Sequence, residues 1–263
     1  MWLDSHCHVT ADAFEEDRRA VLSRAREDGV EAFIAIGSGY GIERNERAVR
    51  LAESEPDVFA TAGVHPHEAS RLDDAGRQSL PDWLAHPRVV AVGECGLDYH
   101  YTHSPREVQR EVFAEQLASA RERDLPVTIH VRGDDAVAYD DLLDLWRAEG
   151  RGELEGVLHC YTGTLEFARR ALDAGLFISF SGILTFKRDR GLRDVARELP
   201  LDRLLVETDA PLLSPEGFRG ERNEPARVRL VGEVLAATRD VPVEEVAHAT
   251  TRNARRLFRL PDA

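Results

Sequence analysis

Histidines and carboxylates are the side chains that most often hold catalytic divalent ions, and in this chain they gather in a few short windows. Six of the ten histidines are His6 and His8, His65 and His67, His130 and His159. The acidic residues Glu94, Glu207 and Asp209 stand in comparable polar breaks after apolar runs. Four histidines with one glutamate and one aspartate make a mixed nitrogen–oxygen set. Such a set suits zinc, manganese or cobalt and, less well, magnesium. Six ligands are too many for one tetrahedral ion and enough for two divalent ions bridged by a carboxylate. Two ions about 3.5–4 Å apart form a clamp for hydrolysis of phosphate esters and similar bonds. Taken singly, each piece has an ordinary explanation. A histidine pair two residues apart packs by chance, His130 alone is a hydrogen-bonded structural residue, and Asp209 alone is a helix cap. Glu207 alone is a buried carboxylate paired with arginine. The joint placement of these residues is what points to metal.

Regular elements must carry these side chains to one place. Short β-branched runs alternate with longer amphipathic stretches, the pattern of βα units around a parallel sheet. Eight strands are predicted, at Trp2–Cys7, Glu31–Gly37, Val58–Val64, Val89–Gly93, Pro126–Val131, Gly156–Cys160, Phe177–Ser181 and Leu204–Thr208. Helical spacing joins Val108, Val112, Phe113, Leu117 and Ala120 ahead of the fifth strand. It also joins Leu142, Leu143, Leu145 and Trp146 ahead of the sixth. Two further helices are predicted near Pro225–Thr238 and Val243–Leu257. This is the order of an α/β fold of the (β/α)8 TIM-barrel class, and one barrel of about 250 residues uses nearly the whole chain as a single domain, residues 1–263. His6 and His8 end the first strand, His65 and His67 follow the third, and Glu94 ends the fourth. His130, His159 and Asp209 end the fifth, sixth and eighth. These C-terminal strand ends are where such barrels build active sites. Side chains alternate with period two along a strand, so His6 and His8 point the same way, as do Glu207 and Asp209. The same alternation turns Cys7 and Cys160 away from their histidine neighbours, as small buried residues.

Bulk properties narrow the function classes. No apolar run is long enough to span a bilayer, and the segment Met1–His6 lacks the basic and apolar regions of a signal peptide. Three cysteines, an odd number in a large chain, predict reduced thiols and a cytoplasmic location. The net charge is −14 and Lys187 is the only lysine. An acidic chain lacks the basic footprint of loose nucleic-acid binding, so any nucleic-acid substrate is held locally.

At this point the motifs resemble a family. Asp4-Ser5-His6-Cys7-His8, Gly63-Val64-His65-Pro66-His67 and Gly93-Glu94-Cys95-Gly96-Leu97-Asp98-Tyr99 resemble, in order, motifs of the TatD deoxyribonucleases. So do Ile129-His130-Val131-Arg132, His159-Cys160-Tyr161-Thr162-Gly163, Glu207-Thr208-Asp209-Ala210-Pro211-Leu212-Leu213 and Arg222-Asn223-Glu224-Pro225. Departures are small: Tyr161 and Thr162 replace Phe and Ser, and Leu212 replaces a frequent Tyr. The resemblance implies a metal-dependent amidohydrolase-type barrel that hydrolyses phosphodiester bonds in DNA. It implies ligands at His6, His8, Glu94, His130, His159 and Asp209, with Glu94 bridging the ions.

On that reading Asp209 is the general base, and Arg132 and Lys187 neutralise phosphate charge. His65 and His67 are left over once six ligands are assigned, and both are expected to contact substrate. Pro66 stiffens their loop, and His65 is expected to donate a hydrogen bond to substrate rather than bind metal. His86, His100, His103 and His248 form no ligand pattern, although His100 and His103 lie in the loop after the fourth strand, within a substrate's reach. One alternative is a superfamily hydrolase of amides, lactones or phosphoesters. Phosphotriesterase-like relatives bridge their metals with a carboxylated lysine, and here Glu94 stands where that bridge would lie. A second alternative is a non-enzymatic metal-binding or assembly factor, against which a full ligand set plus a base argues.

Overall fold

The computed structural model describes residues 1–188 and 191–261. Strands and helices alternate along the chain: β1 Trp2–Cys7, α1 Arg18–Glu27, β2 Val30–Ala35, α2 Arg44–Ser54, β3 Val58–Ala62, α3 Asp74–Leu84, β4 Val89–Asp98, α4 Arg106–Arg123, β5 Val127–Arg132, α5 Val137–Gly150, β6 Gly156–Leu158, α6 Leu165–Asp173, β7 Leu176–Phe180, α7 Leu192–Glu198, β8 Leu204–Val206, α8 Val228–Arg239 and α9 Val243–Leu257. This is the eightfold βα order of a TIM barrel, and every described strand pairing is parallel.

The elements fall into two compact units. The first comprises residues 1–35, 159–173 and 177–263, the second residues 36–158 and 174–176. In the first, β1 pairs with β2 and β7 with β8. Leu3, Phe33, Ile34, Phe177 and Phe180 of these strands are buried. A strand flanked on both faces must be apolar on both, which is why these segments read as continuous apolar runs. The predicted helix at Val243–Leu257 forms as α9 and buries Val246, Ala254 and Leu257. The one predicted near Pro225 opens with a short 3-10 turn, Pro225–Arg227, before α8 begins.

In the second unit β3, β4, β5 and β6 pair in that order. Val112, Phe113, Leu117 and Ala120 form the buried face of α4, and Leu142, Leu143 and Trp146 that of α5, as their spacing predicts. Each buried Val, Leu or Phe among them stabilises the fold by about 1.5–3 kcal/mol relative to exposure.

One boundary differs in a way that matters. The fourth strand does not end at Gly93 but continues to Asp98, so Glu94 lies within β4 rather than at its end. The β4–β5 register shifts between Gly93 and Cys95. Gly96 adopts φ +138, and a Cβ there would strike the His130 carbonyl. Glycine lets β4 run close against β5 at this point, beyond the predicted strand end at Gly93.

Candidate metal centre

Each unit holds its own histidine–carboxylate cluster. In the first unit, β1 ends at Cys7, with His6 inside it and His8 just beyond. His6 Nε2 and His8 Nε2 lie 3.3 Å apart. Asp209 Oδ1 lies 3.6 Å from the first and 3.4 Å from the second. With metal–nitrogen bonds of about 2.1 Å, neighbouring ligand atoms of a tetrahedral ion stand about 3.4 Å apart. The three atoms therefore have the spacing of ligands to one ion. The β8 strand ends at Val206, so strand alternation does not aim Asp209. Its backbone sits instead in the left-handed region, at φ +56, and its N–H donates to the His6 carbonyl at 2.9 Å. A non-glycine residue held there is strained and must be fixed by its surroundings. Asp4 supplies part of that fixing: its buried carboxylate accepts from Thr208 N at 2.9 Å and from Thr208 Oγ1 at 2.5 Å. Burial pushes the Asp4 carboxyl up to about 8 against those two hydrogen bonds. Burial also works against the Asp209 charge, but the hydrogen bond from His8 and the His6, His8 and His159 imidazoles bring it below the usual range.

The His159 ring stacks on that of His6, with centroids 3.9 Å apart. His159 Nδ1 lies 3.2 Å from Glu207 Oε1, which also accepts from Cys160 N at 2.6 Å. A carboxylate only accepts, so His159 carries its proton on Nδ1 and its lone pair on Nε2. This carboxylate–histidine pairing is how proteins orient a metal-binding imidazole. Glu207 thus partners a histidine, not the arginine that an isolated buried carboxylate suggests.

The second cluster is built in the same way. Glu94 Oε1 lies 3.4 Å from His65 Nε2 and 3.1 Å from His130 Nδ1. On its other side, His130 Nε2 lies 3.0 Å from Asp98 Oδ2, which is 2.8 Å from His67 Nε2. Asp98 is fully buried, and although burial opposes its charge, hydrogen bonds from His130 and His67 hold its carboxyl well below the usual carboxylate range. His130 thus stands between two acceptors, and a neutral ring that donates from Nε2 to Asp98 leaves Nδ1 without a proton. The Nδ1 lone pair then faces the Glu94 carboxylate, an arrangement a cation between them would satisfy. His65 is different. Its Nδ1 accepts from His67 N at 3.1 Å, and burial pulls its pKa down to about 4, with Glu94 opposing. Neutral His65 therefore carries its proton on Nε2, facing Glu94 as a donor.

Buried amides clamp the backbone that carries this cluster. Asn45 bonds both N and O of Gly63, and Gln116 both N and O of Val64. Gln109 Oε1 accepts from Asp98 N, and its Nε2 donates to Asp98 O and Ser104 O. Neither these amides nor Asp98 stands out in the sequence: Asp98 hides in a Gly-Leu-Asp stretch, and an amide inside a helix carries no periodicity.

The remaining expected site residues lie further out. Arg132 is exposed, its guanidinium 4.6 Å from the centroid of the Tyr101 ring. Lys187 is exposed, 3.7 Å from Glu216, and belongs to neither cluster. Cys7 is buried with Sγ against Ile34 O, whereas Cys160 is only half-buried, its Sγ 3.2 Å from Ser181 Oγ. Among the described residues no cysteine joins a metal-type cluster.

Comparison with known proteins agrees with this chemistry. The sequence profile of the TatD related DNase family matches residues 3–259. The chain is 38% identical to a metal-dependent hydrolase of Bacillus subtilis, YabD, over 99% of this chain and 100% of that protein. It is 39% identical to the 3'-5' ssDNA/RNA exonuclease TatD of Musicola paradisiaca, over 98% and 97%. Among solved structures it is similar to a TatD homologue from Escherichia coli, YJJV, with TM-score 0.92 and 34% identity, covering 99% and 98% of the two chains.

Proposed function

The chain belongs to the TatD related DNase family and is a metal-dependent hydrolase, and on that premise we propose that it cleaves phosphodiester bonds of single-stranded DNA from the 3' end with two divalent ions. The observation that carries the reading is that the His130 ring lies between two carboxylates, with Nε2 3.0 Å from Asp98 Oδ2 and Nδ1 3.1 Å from Glu94 Oε1. A neutral ring that donates to Asp98 leaves its lone pair facing Glu94. The residues that would hold the ions are His6, His8, Glu94, His130, His159 and Asp209. Manganese, zinc and cobalt fit such nitrogen–oxygen donors, and magnesium fits them less well.

When bound, the two ions lower the pKa of a water and offset charge on the phosphate oxygens. The protein's own residues do the rest. Asp209, kept anionic by its histidines, takes the proton of the attacking water as general base. Neutral His65 donates from Nε2 to a phosphate oxygen, and His67, held by Asp98, keeps its loop in place. Arg132 neutralises phosphate charge at the exposed edge of the second unit's cluster. Lys187 is an outer phosphate contact, because an exposed pair such as Lys187–Glu216 contributes little and is easily exchanged. With net charge −14, nucleic acid is held by these local groups and not by a general basic field. No described helix is long and apolar enough to cross a membrane. The odd number of cysteines, three, fits a reducing cytoplasm.

Mapping the products of single-stranded DNA labelled at one end or the other tests the reading. Stepwise shortening from the 3' end is expected. Cuts spread through the strand would overturn the direction, and an untouched strand would overturn the substrate.

A further inference from the structure

Tyr101 is unusual among the described residues: a large ring, 49% exposed, on a strongly acidic protein that is only 7% aromatic. It sits in the loop between β4 and α4, and its backbone is not loose. Asp98 Oδ1 accepts from the N–H groups of both His100 and Tyr101, at 3.0 and 2.9 Å. The other oxygen of that same carboxylate holds His67 and His130. One buried residue therefore fixes both the candidate metal ligand and the exposed ring.

The ring is also dressed for a planar, anionic ligand. His103 lies nearly parallel to it, at 12° and 5.9 Å between centroids. The Arg132 guanidinium lies 4.6 Å from its centroid. The edge of the arrangement is His67, 5.7 Å from Tyr101 and 6.0 Å from His130. A ring capped by a guanidinium, one imidazole away from a candidate metal ligand, suits a nucleotide: the base joins the ring–guanidinium stack and the phosphate meets the arginine. Bases inside a duplex are already stacked on their neighbours, whereas an unpaired base offers its face to a protein ring.

We propose that Tyr101, flanked by His103 and Arg132, is a stacking platform that receives one unpaired base of the nucleic-acid substrate and selects single strands over duplexes. This rests on the nuclease reading and adds a subsite to it. The platform supplies affinity that an acidic surface otherwise denies the substrate. It depends on the base having a flat face and not on which base it is, so it carries little sequence preference.

The test uses the full-length, metal-loaded protein and the variants Tyr101→Ala and Tyr101→Phe. The probes are oligothymidylates in which one abasic residue is moved step by step from the 3' end. Stacking of one base corresponds to about tenfold or more in binding. Tyr101→Ala should raise KM by about that factor. It should leave kcat and metal content near those of the parent, and Tyr101→Phe should restore KM. In the parent, an abasic residue at one position should raise KM by a similar factor, and Tyr101→Ala should show no further loss with that probe. A parent that degrades DNA with a flat abasic scan, or an unchanged KM in Tyr101→Ala, overturns the platform. A separate readout follows 2-aminopurine fluorescence in an oligonucleotide bound to the protein. Quenching by the parent and its loss in Tyr101→Ala support the platform even where no strand is cut, in which case the nuclease reading alone fails. Equal quenching by parent and variant overturns the platform whatever the activity.

Discussion

Asp98→Asn removes one negative charge while keeping the side chain's shape, and the four hydrogen bonds that Asp98 accepts determine its effect. The carboxylate accepts from two imidazoles through Oδ2 and from two backbone N–H groups through Oδ1. An asparagine keeps its carbonyl oxygen on the two backbone donors and turns its NH2 toward the imidazoles. An NH2 cannot accept, so His130 must move its proton from Nε2 to Nδ1. That proton then points at Glu94 Oε1, 3.1 Å away, and the lone pair on the Glu94 side is gone. Loss of such an orienting carboxylate costs about 10–100-fold in metal affinity, or about 1.4–2.8 kcal/mol. The assay is a competition titration against a chromophoric chelator, read for both ions, with a thermal melt to show that the variant is folded. One ion should weaken by that factor while the other, held by His6, His8 and Asp209, stays as in the parent. Parent-like affinity for both ions in a folded variant would refute the tautomer argument.

The same geometry sets the outcome of other perturbations. His65→Ala should keep near-normal metal content and lose turnover, whereas His6→Ala should lose both; metal analysis beside kinetics decides, and if His65→Ala sheds metal as readily as His6→Ala, then His65 is a ligand. Arg222 bonds Asp17 through both oxygens, at 2.8 and 2.7 Å, and Glu224 at 3.0 Å. Its hydrogen bond holds the Asp17 carboxyl down; Glu224 is pushed up by burial yet brought below its usual value by Arg24 and Arg222. Depressed carboxyls stabilise the fold above their unfolded pKa and lose that contribution as pH falls through the folded values. Arg222→Gln should therefore lower the Tm at pH 7, with a gap that closes below about pH 4; a gap independent of pH would contradict the ion-pair origin. Because the chain is acidic and so is DNA, KM should not rise steeply with salt, and a steep rise would reveal a basic surface.

The sequence was most legible where one residue type carries one job. His6, His8, Glu94, His130, His159 and Asp209 stand out because histidines and carboxylates after apolar runs are costly unless they have work to do. The strand and helix order was legible because burial on both faces imposes continuous apolar runs. Other features depend on contacts between distant segments, which periodicity does not report. Asp98 lies beyond the predicted end of the fourth strand at Gly93, and only the approach of β4 to the His130 carbonyl shows why Gly96 is strand. The clamps from Asn45, Gln109 and Gln116 are long-range bonds from helices to backbone. The alternation that put Glu207 and Asp209 on one face presumes a strand, and β8 ends before either of them. Lys187, singled out because it is the only lysine, lies exposed 3.7 Å from Glu216, a neighbour that sequence spacing does not report.

The central claim is that divalent ions held by these clusters are required for phosphodiester hydrolysis. The direct measurement strips the protein with chelator, verifies its metal content by elemental analysis, and follows end-labelled single-stranded DNA as each ion is added back. The account predicts no hydrolysis by the stripped protein and recovery that saturates at two ions per chain. Full hydrolysis by a demonstrably metal-free preparation would contradict it.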